Sequence, residues 1–262
     1  MTKRFIVLTV LTLLMSIELS AQKNPVSQNI FITEAIEIDA DLKDWGDSLK
    51  NYNPVTKLNY EIGNDKQNLY LAVKTADQAT IRKILSFGFS FSVNTEGKKK
   101  LGPTVTFPVI DHIAVRRALS ENKTAVQKGN ESKINNVVLS KIKGIQVTGF
   151  KSLLDGDIAL KNEYGVQAAA TIDEQNSFVM ELTIPLRLLE LSADSKNVLA
   201  YNLKANGLQR TVIQQSPMRG LGRYGGYGYW NYGYGERETY KSTVSESVQF
   251  WTLYTWLYPN SK

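Results

Sequence analysis

The sequence predicts an all-β fold, an antiparallel β-sandwich of the immunoglobulin-like or jelly-roll-like kind with a short helical insertion. Three observations predict it. Short runs of period-two alternation recur along the chain, polar turn clusters separate them, and few stretches show helical spacing. About ten strands with few long helices suit two packed sheets rather than alternating β and α units.

The elements follow in order. Ile30 to Ile38 alternates loosely and reads as a strand, ended by the acidic stretch Ala40-Asp41-Leu42-Lys43-Asp44-Trp45. Lys57 to Gly63 and Asn68 to Thr75 flank Asn64-Asp65-Lys66-Gln67 and read as a hairpin with one buried face, since Leu69, Leu71 and Val73 alternate with Tyr70, Ala72 and Lys74. Ala79 to Ser86 carries Ile81, Ile84 and Leu85 at helical spacing. It feeds a strand in which Phe87, Phe89, Phe91 and Val93 share one face, and Thr104 to Pro108 is the next strand. From Asp111 to Lys143 the spacing turns helical, with Ile134, Val137, Val138 and Ile142 on one stripe. Strands return at Gly144 to Phe150, Tyr164 to Ile172 and Ser177 to Ile184, the last two joined through Asp173-Glu174-Gln175-Asn176. Pro185 stops the strand and opens a one-turn helix from Leu186 to Leu191, and Val198 to Ala205 and Val248 to Leu257 complete the set.

Both chain ends and composition constrain the setting. Lys3 and Arg4, the apolar run Phe5 to Ile17 and the small-residue end Leu19-Ser20-Ala21 predict a signal peptide over residues 1–21, leaving 22–262 as one exported domain, periplasmic or secreted. The run is too short and too rich in hydroxyls for a spanning helix, so the cleaved chain is expected not to span a membrane. There is no cysteine, which excludes disulfides and thiolate metal sites. The net charge is +6, and removing Lys3, Arg4 and Glu18 with the signal leaves +5. The basic clusters Arg82-Lys83, Lys98 to Lys100 and Arg116-Arg117 are too short and scattered for a nucleic-acid stripe; a solvated surface is expected, with an anionic polymer or envelope surface as the alternative.

Candidate chemistry is sparse. The single histidine, His112, has no Gly-x-Ser-x-Gly elbow to serve, so no catalytic residue and no imidazole metal site is expected. No spacing singles out a pair of carboxylates for glycoside hydrolysis. Asp39, Asp41, Asp44 and Asp47 are dense enough to hold Ca²⁺, but they lack an EF-hand's mid-loop glycine and terminal glutamate. Turn formation explains them, and no cofactor is expected. The exception to this plainness is 219–236, where glycines interleave with Tyr224, Tyr227, Tyr229, Trp230, Tyr232 and Tyr234. Glycine at that density opposes regular structure, so a long loop is expected, with those six rings as a candidate glycan platform. Trp251 and Tyr254 fall on opposite sides of the last strand, both expected to pack.

Three ordered motifs carry a resemblance. Ile38-Asp39-Ala40-Asp41-Leu42-Lys43-Asp44-Trp45, Asn68-Leu69-Tyr70-Leu71-Ala72-Val73 and Met180-Glu181-Leu182-Thr183-Ile184-Pro185-Leu186 together make the chain resemble the family 9 carbohydrate-binding modules and the wider DOMON-like sandwiches. Ala40 stands where the family's opening turn usually has glycine. The resemblance implies a single sandwich domain that binds glycan without catalysis. Trp45 is read as a core residue capping the sandwich, and the family's sugar-stacking tryptophans are not assigned to positions here. The alternatives are an envelope structural or interaction protein that uses the sandwich as a scaffold, and a hydrolase or hydrolase accessory.

Overall fold

Strands in which large apolar side chains recur at every second position can bury one face each, and two such sheets here close over a common core. The computed structural model describes residues 27–34, 36–46, 49–121, 130–192, 198–207 and 246–255. The strands are β1 (Ser27–Gln28), β2 (Ile30–Phe31), β3 (Asn51–Asn53), β4 (Leu58–Asn64), β5 (Asn68–Thr75), β6 (Phe89–Asn94), β7 (Thr104–Ile110), β8 (Ile142–Thr148), β9 (Gly156–Ile158), β10 (Gln167–Ile172), β11 (Phe178–Pro185), β12 (Val198–Ala205) and β13 (Val248–Thr255). Three helices accompany them among the described residues: α1 (Gln78–Phe87), α2 (His112–Glu121) and α3 (Glu131–Leu139). A large sheet runs β1-β13-β12-β6-β7-β8-β9, and a small one runs β10-β11-β5-β4-β2 with β3 also on β4. This is the expected sandwich, antiparallel except where β1 meets β13 and β2 meets β4.

Those two parallel pairs have one cause. The chain pairs with the large sheet at Ser27–Gln28, crosses at Asn29, and pairs with the small sheet at Ile30–Phe31, so one short stretch joins both sheets along an edge. Asn29 is buried at the crossing, where its amide donates to Asn64 Oδ1 at 3.2 Å and to Tyr201 Oη at 3.1 Å. The core beside it is aromatic, with ring centroids of Phe91 and Tyr201 5.4 Å apart and of Tyr201 and Tyr254 5.5 Å apart. Aliphatic side chains such as Leu71, Ile62, Val93 and Leu182 fill the rest.

Several elements differ from expectation. The strand read over Ile30 to Ile38 stops at Phe31, and the residues from Ile36 instead lie as a strap over the outside of the small sheet. Phe87 ends α1 rather than starting β6, because Gly88 at φ 77° turns the chain between them. Only a residue without Cβ fits that turn, since an added Cβ would stand 2.8 Å from Thr106 Cγ2. Ile142 opens β8 instead of closing a helix, so α3 ends at Leu139. The β4–β5 hairpin, expected to bury one face, is buried on both, Tyr70 and Ala72 included. Among the described residues no helix is long and apolar enough to cross a membrane.

Candidate functional site

Two outer faces remain once the core is filled, and they are built differently. On the small sheet the inward residues Leu69, Leu71 and Val73 of β5 leave Tyr70 and Ala72 outward. Register then sets Glu181 of β11 and Glu61 of β4 on either side of Ala72, in one row across the sheet. Both glutamates are buried, and both are occupied. Glu181 Oε2 accepts the Asp39 and Ala40 amides at 3.1 and 2.6 Å, and its Oε1 accepts Trp45 Nε1 at 2.7 Å. Glu61 accepts the Lys50 amide at 2.9 Å and Asn51 Nδ2 at 3.1 Å.

The two carboxylates thus hold a strap against the sheet, Glu181 through residues 36–46 and Glu61 through Lys50 and Asn51. Trp45 is part of that strap, half-buried in a 3-10 turn over Leu42–Trp45 and outside the core rather than capping it. Ala40 adopts φ 67°, a left-handed conformation that costs a residue with a Cβ, and the short bond from its amide to Glu181 helps fix it there. The strap's acidic residues serve its turns: Asp39 accepts from the Asp41 amide, Asp41 from Lys43, and Asp44 from Glu37. Asp47 lies outside the described residues. Among the described residues no group of three or more His, Asp or Glu side chains is placed to hold a metal ion.

Burial pushes the carboxyls of Glu61 and Glu181 above the ordinary 4.5, despite the amides that favour their charged forms. The folded chain therefore holds these protons more tightly than the unfolded chain does. The stability each contributes relative to a neutral amide is complete below about pH 4.5 and is lost as pH rises through the raised value. Denaturant titrations of wild type and Glu61→Gln at several pH values should show wild type losing ground steadily from pH 4 toward 7; a constant difference would mean the group titrates alike in both states.

The outer face of the large sheet is polar and less committed. Leu199, Tyr201 and Leu203 of β12 point inward, so Asn202 and Lys204 point out. Register flanks Asn202 with Ser92 and Trp251, and Lys204 with Ser90 and Gln249; Asn202 and Ser92 are buried, bonded to the Phe250 carbonyl and to Gly102, so the open part is the Lys204 row. Thr106, Gln146 and Asp157 extend the Lys204 row across β7, β8 and β9, so one polar row crosses six strands. Ser90 Oγ and Thr106 Oγ1 are 2.6 Å apart, and Asn206 Nδ2 donates to Ser90 Oγ at 2.8 Å. Trp251 is half-buried on this same face, while Tyr254, on the opposite side of β13, is in the core. Packing on both sides was expected; the division into a core side and an outer side carrying the tryptophan is the refinement.

At one end this face opens into a cleft of about 320 Å³ beside Gly88, Thr106, His112, Lys143, Gln146 and Asp157. Lys143 pairs with Asp157 at 3.0 Å. His112 is exposed there, and the neighbouring Asp111 uses its carboxylate to cap α2 through the Ile113 and Ala114 amides. Those amides also hold the Asp111 carboxyl below its ordinary value. A larger cleft of about 620 Å³ beside the strap is lined by the ion pairs Lys43–Asp41 and Lys74–Asp173, by Asp39 and Glu174, and by no aromatic ring.

The six rings of the expected platform, Tyr224, Tyr227, Tyr229, Trp230, Tyr232 and Tyr234, lie outside the described residues, as do Trp256 and Tyr258. The ends of their connection do not. Ala205 pairs with Val248, and the Asn206 amide donates to Gly88 O at 3.1 Å. Gly207 lies so close to the returning chain that a Cβ on it would stand 2.5 Å from the Glu246 carbonyl carbon. The glycine-tyrosine connection therefore leaves and returns at one point, at the same end of the large sheet as the cleft.

Compared by sequence, the chain matches no family model and no curated protein. Among solved structures, a carbohydrate binding module family 9 from Caldicellulosiruptor kristjanssonii, in complex with glucose, is similar over 90% of this chain and 98% of its own, at 6% identity and a TM-score of 0.39. At that score the likeness carries no argument about ligand or fold. The sandwich itself rests on the strand pairings above.

Proposed function

We propose that the chain is an exported, non-catalytic glycan-binding module whose contact surface is the outer face of the large sheet. The observation that carries this reading is the half-buried Trp251 standing beside the partly exposed polar row of Gln249, Lys204, Ser90 and Thr106. A pyranose has an apolar face of C–H groups and a rim of hydroxyls, so it needs one flat ring and several short polar partners on a rigid surface. Strand-borne side chains supply that at little entropic cost on binding. The rooting of the glycine-tyrosine connection beside this face supports Tyr224, Tyr227, Tyr229, Trp230, Tyr232 and Tyr234 as a second wall over it. The two buried glutamates, Glu61 and Glu181, are engaged under the strap on the other side of the molecule.

Fluorescence titration of the mature chain with a panel of soluble glycans tests this. At least one glycan should give a saturable change, weakened at least tenfold in Trp251→Ala with the melting temperature kept within a few degrees, and weakened to a lesser extent in Trp230→Ala. No response from wild type across the panel would reject the reading in favour of an envelope scaffold that docks a protein partner.

A further inference from the structure

We propose that the glycan held by this face is acidic, bearing carboxylate or sulfate groups, and that Lys204 is its central anchor; the inference rests on the glycan reading above and specifies its ligand. Lys204 lies second in the polar row of six, half-buried, between Gln249 and Ser90. No carboxylate is adjacent to it in the register, and among the described residues it makes no ion pair. A lysine among neutral hydroxyls and amides, on a rigid strand, is a positive charge held in place without a counter-ion among the described residues. Partial burial strengthens its attraction for an anion relative to a lysine in open water.

The charge continues toward both ends of the face. At one end the β6–β7 loop folds back onto the sheet, its Gly102 amide donating to Ser92 Oγ at 3.0 Å, and this loop carries Lys98, Lys99 and Lys100. Glu96 answers only Lys98, at 2.7 Å, which leaves Lys99 and Lys100 exposed and without an ion pair among the described residues. At the other end Lys143 is paired with Asp157, and α2 starts there; its Arg116 and Arg117 are exposed without an ion pair among the described residues. Residues 111–143 hold four more basic than acidic side chains, out of an excess of six in the whole chain. The seven residues of β7 separate the two ends by about 20 Å, so basic side chains stand at both ends of the face and at Lys204 between them. That pattern matches a polymer with repeated negative charge better than a neutral one, for which lysines would only add a desolvation cost.

Paired polymers that differ only in charge make the test: dextran against dextran sulfate, and carboxyl-reduced against native polygalacturonate, by calorimetry on the full mature chain at 50 and 300 mM NaCl. The expected result is that one acidic polymer binds at least tenfold more tightly than its neutral partner, with the advantage shrinking at high salt. Lys204→Gln should cost that polymer five- to tenfold, whereas Lys50→Gln, an equal loss of charge on the strap side, should cost less than twofold. Which acidic polymer wins identifies the substituent. Equal binding of the neutral partners would overturn this inference and leave the glycan reading standing; binding of neither member of any pair would overturn both. Equal losses in Lys204→Gln and Lys50→Gln would mean diffuse charge attraction and would overturn the role of Lys204.

Discussion

Glu181→Ala is expected to lower the free energy of unfolding by about 2–4 kcal/mol, because it removes one acceptor from three donors at once. The Asp39 and Ala40 amides and the Trp45 indole all converge on this carboxylate. The full sum of three lost bonds is not expected, since burial already disfavours the charged carboxylate and water can reach part of the exposed strap. Urea titration followed by tryptophan emission would show both effects: a lower midpoint, and a red-shifted native spectrum as Trp45 loses its partner. Glu181→Gln should be intermediate, because its amide keeps one acceptor and turns a donor toward donors. An unchanged midpoint for the alanine variant would mean that the strap is held by something other than this side chain.

A loss of similar or larger size is expected in the core. Tyr201→Ala should cost about 3–5 kcal/mol, the range for deleting a large buried ring whose neighbours cannot collapse into the space. Tyr201 is fully buried, stacked between Phe91 and Tyr254, and its hydroxyl accepts from Asn29. The ring and the hydroxyl can be separated. Tyr201→Phe keeps the stack and loses only the bond to Asn29, so a cost of about 1 kcal/mol is expected. If Tyr201→Phe proved as damaging as Tyr201→Ala, the polar crossing at Asn29, not the aromatic stack, would be what joins the sheets.

How much of this was legible in the sequence depended on how local each cause was. The hairpin of β4 and β5, the pair β10 and β11, and β12 declare themselves by alternation over six to eight residues, and the one-turn helix after Pro185 by the proline. Strands β1 and β2 are two residues long, and each exists only because a partner distant in sequence offers a free edge; no local pattern encodes that. Phe87 shares the period of β6 but loses its place to Gly88, whose backbone freedom ends the helix one residue later than the alternation suggests. The aromatic connection was visible by composition, although its rooting beside the Lys204 row became visible only in the strand register.

The least legible feature was the pair Glu61 and Glu181. Each occupies an outward strand position, where a charged residue normally signals solvent. The signal that marks them as buried is indirect: Ala72 and Tyr70 outward on the strand between them, and an opening motif rich in backbone donors that must find acceptors. Trp45 illustrates the same limit, since its bulk suggests the core while its indole N–H is satisfied only outside it.

The pinched base at Gly207 and Glu246 has a consequence for how this molecule could change over time or by design. Because β12 and β13 stay zipped up to Ala205 and Val248, the span 206–247 closes a gap that a four-residue turn would also close. Closing 42 residues instead of four costs only about 2 kcal/mol in chain entropy. The sandwich is thus nearly indifferent to what is spliced in at that point. Length and composition there can drift, be shortened to a tight turn or be replaced by a foreign sequence while the scaffold is inherited intact, which makes this junction the natural place to graft a new specificity.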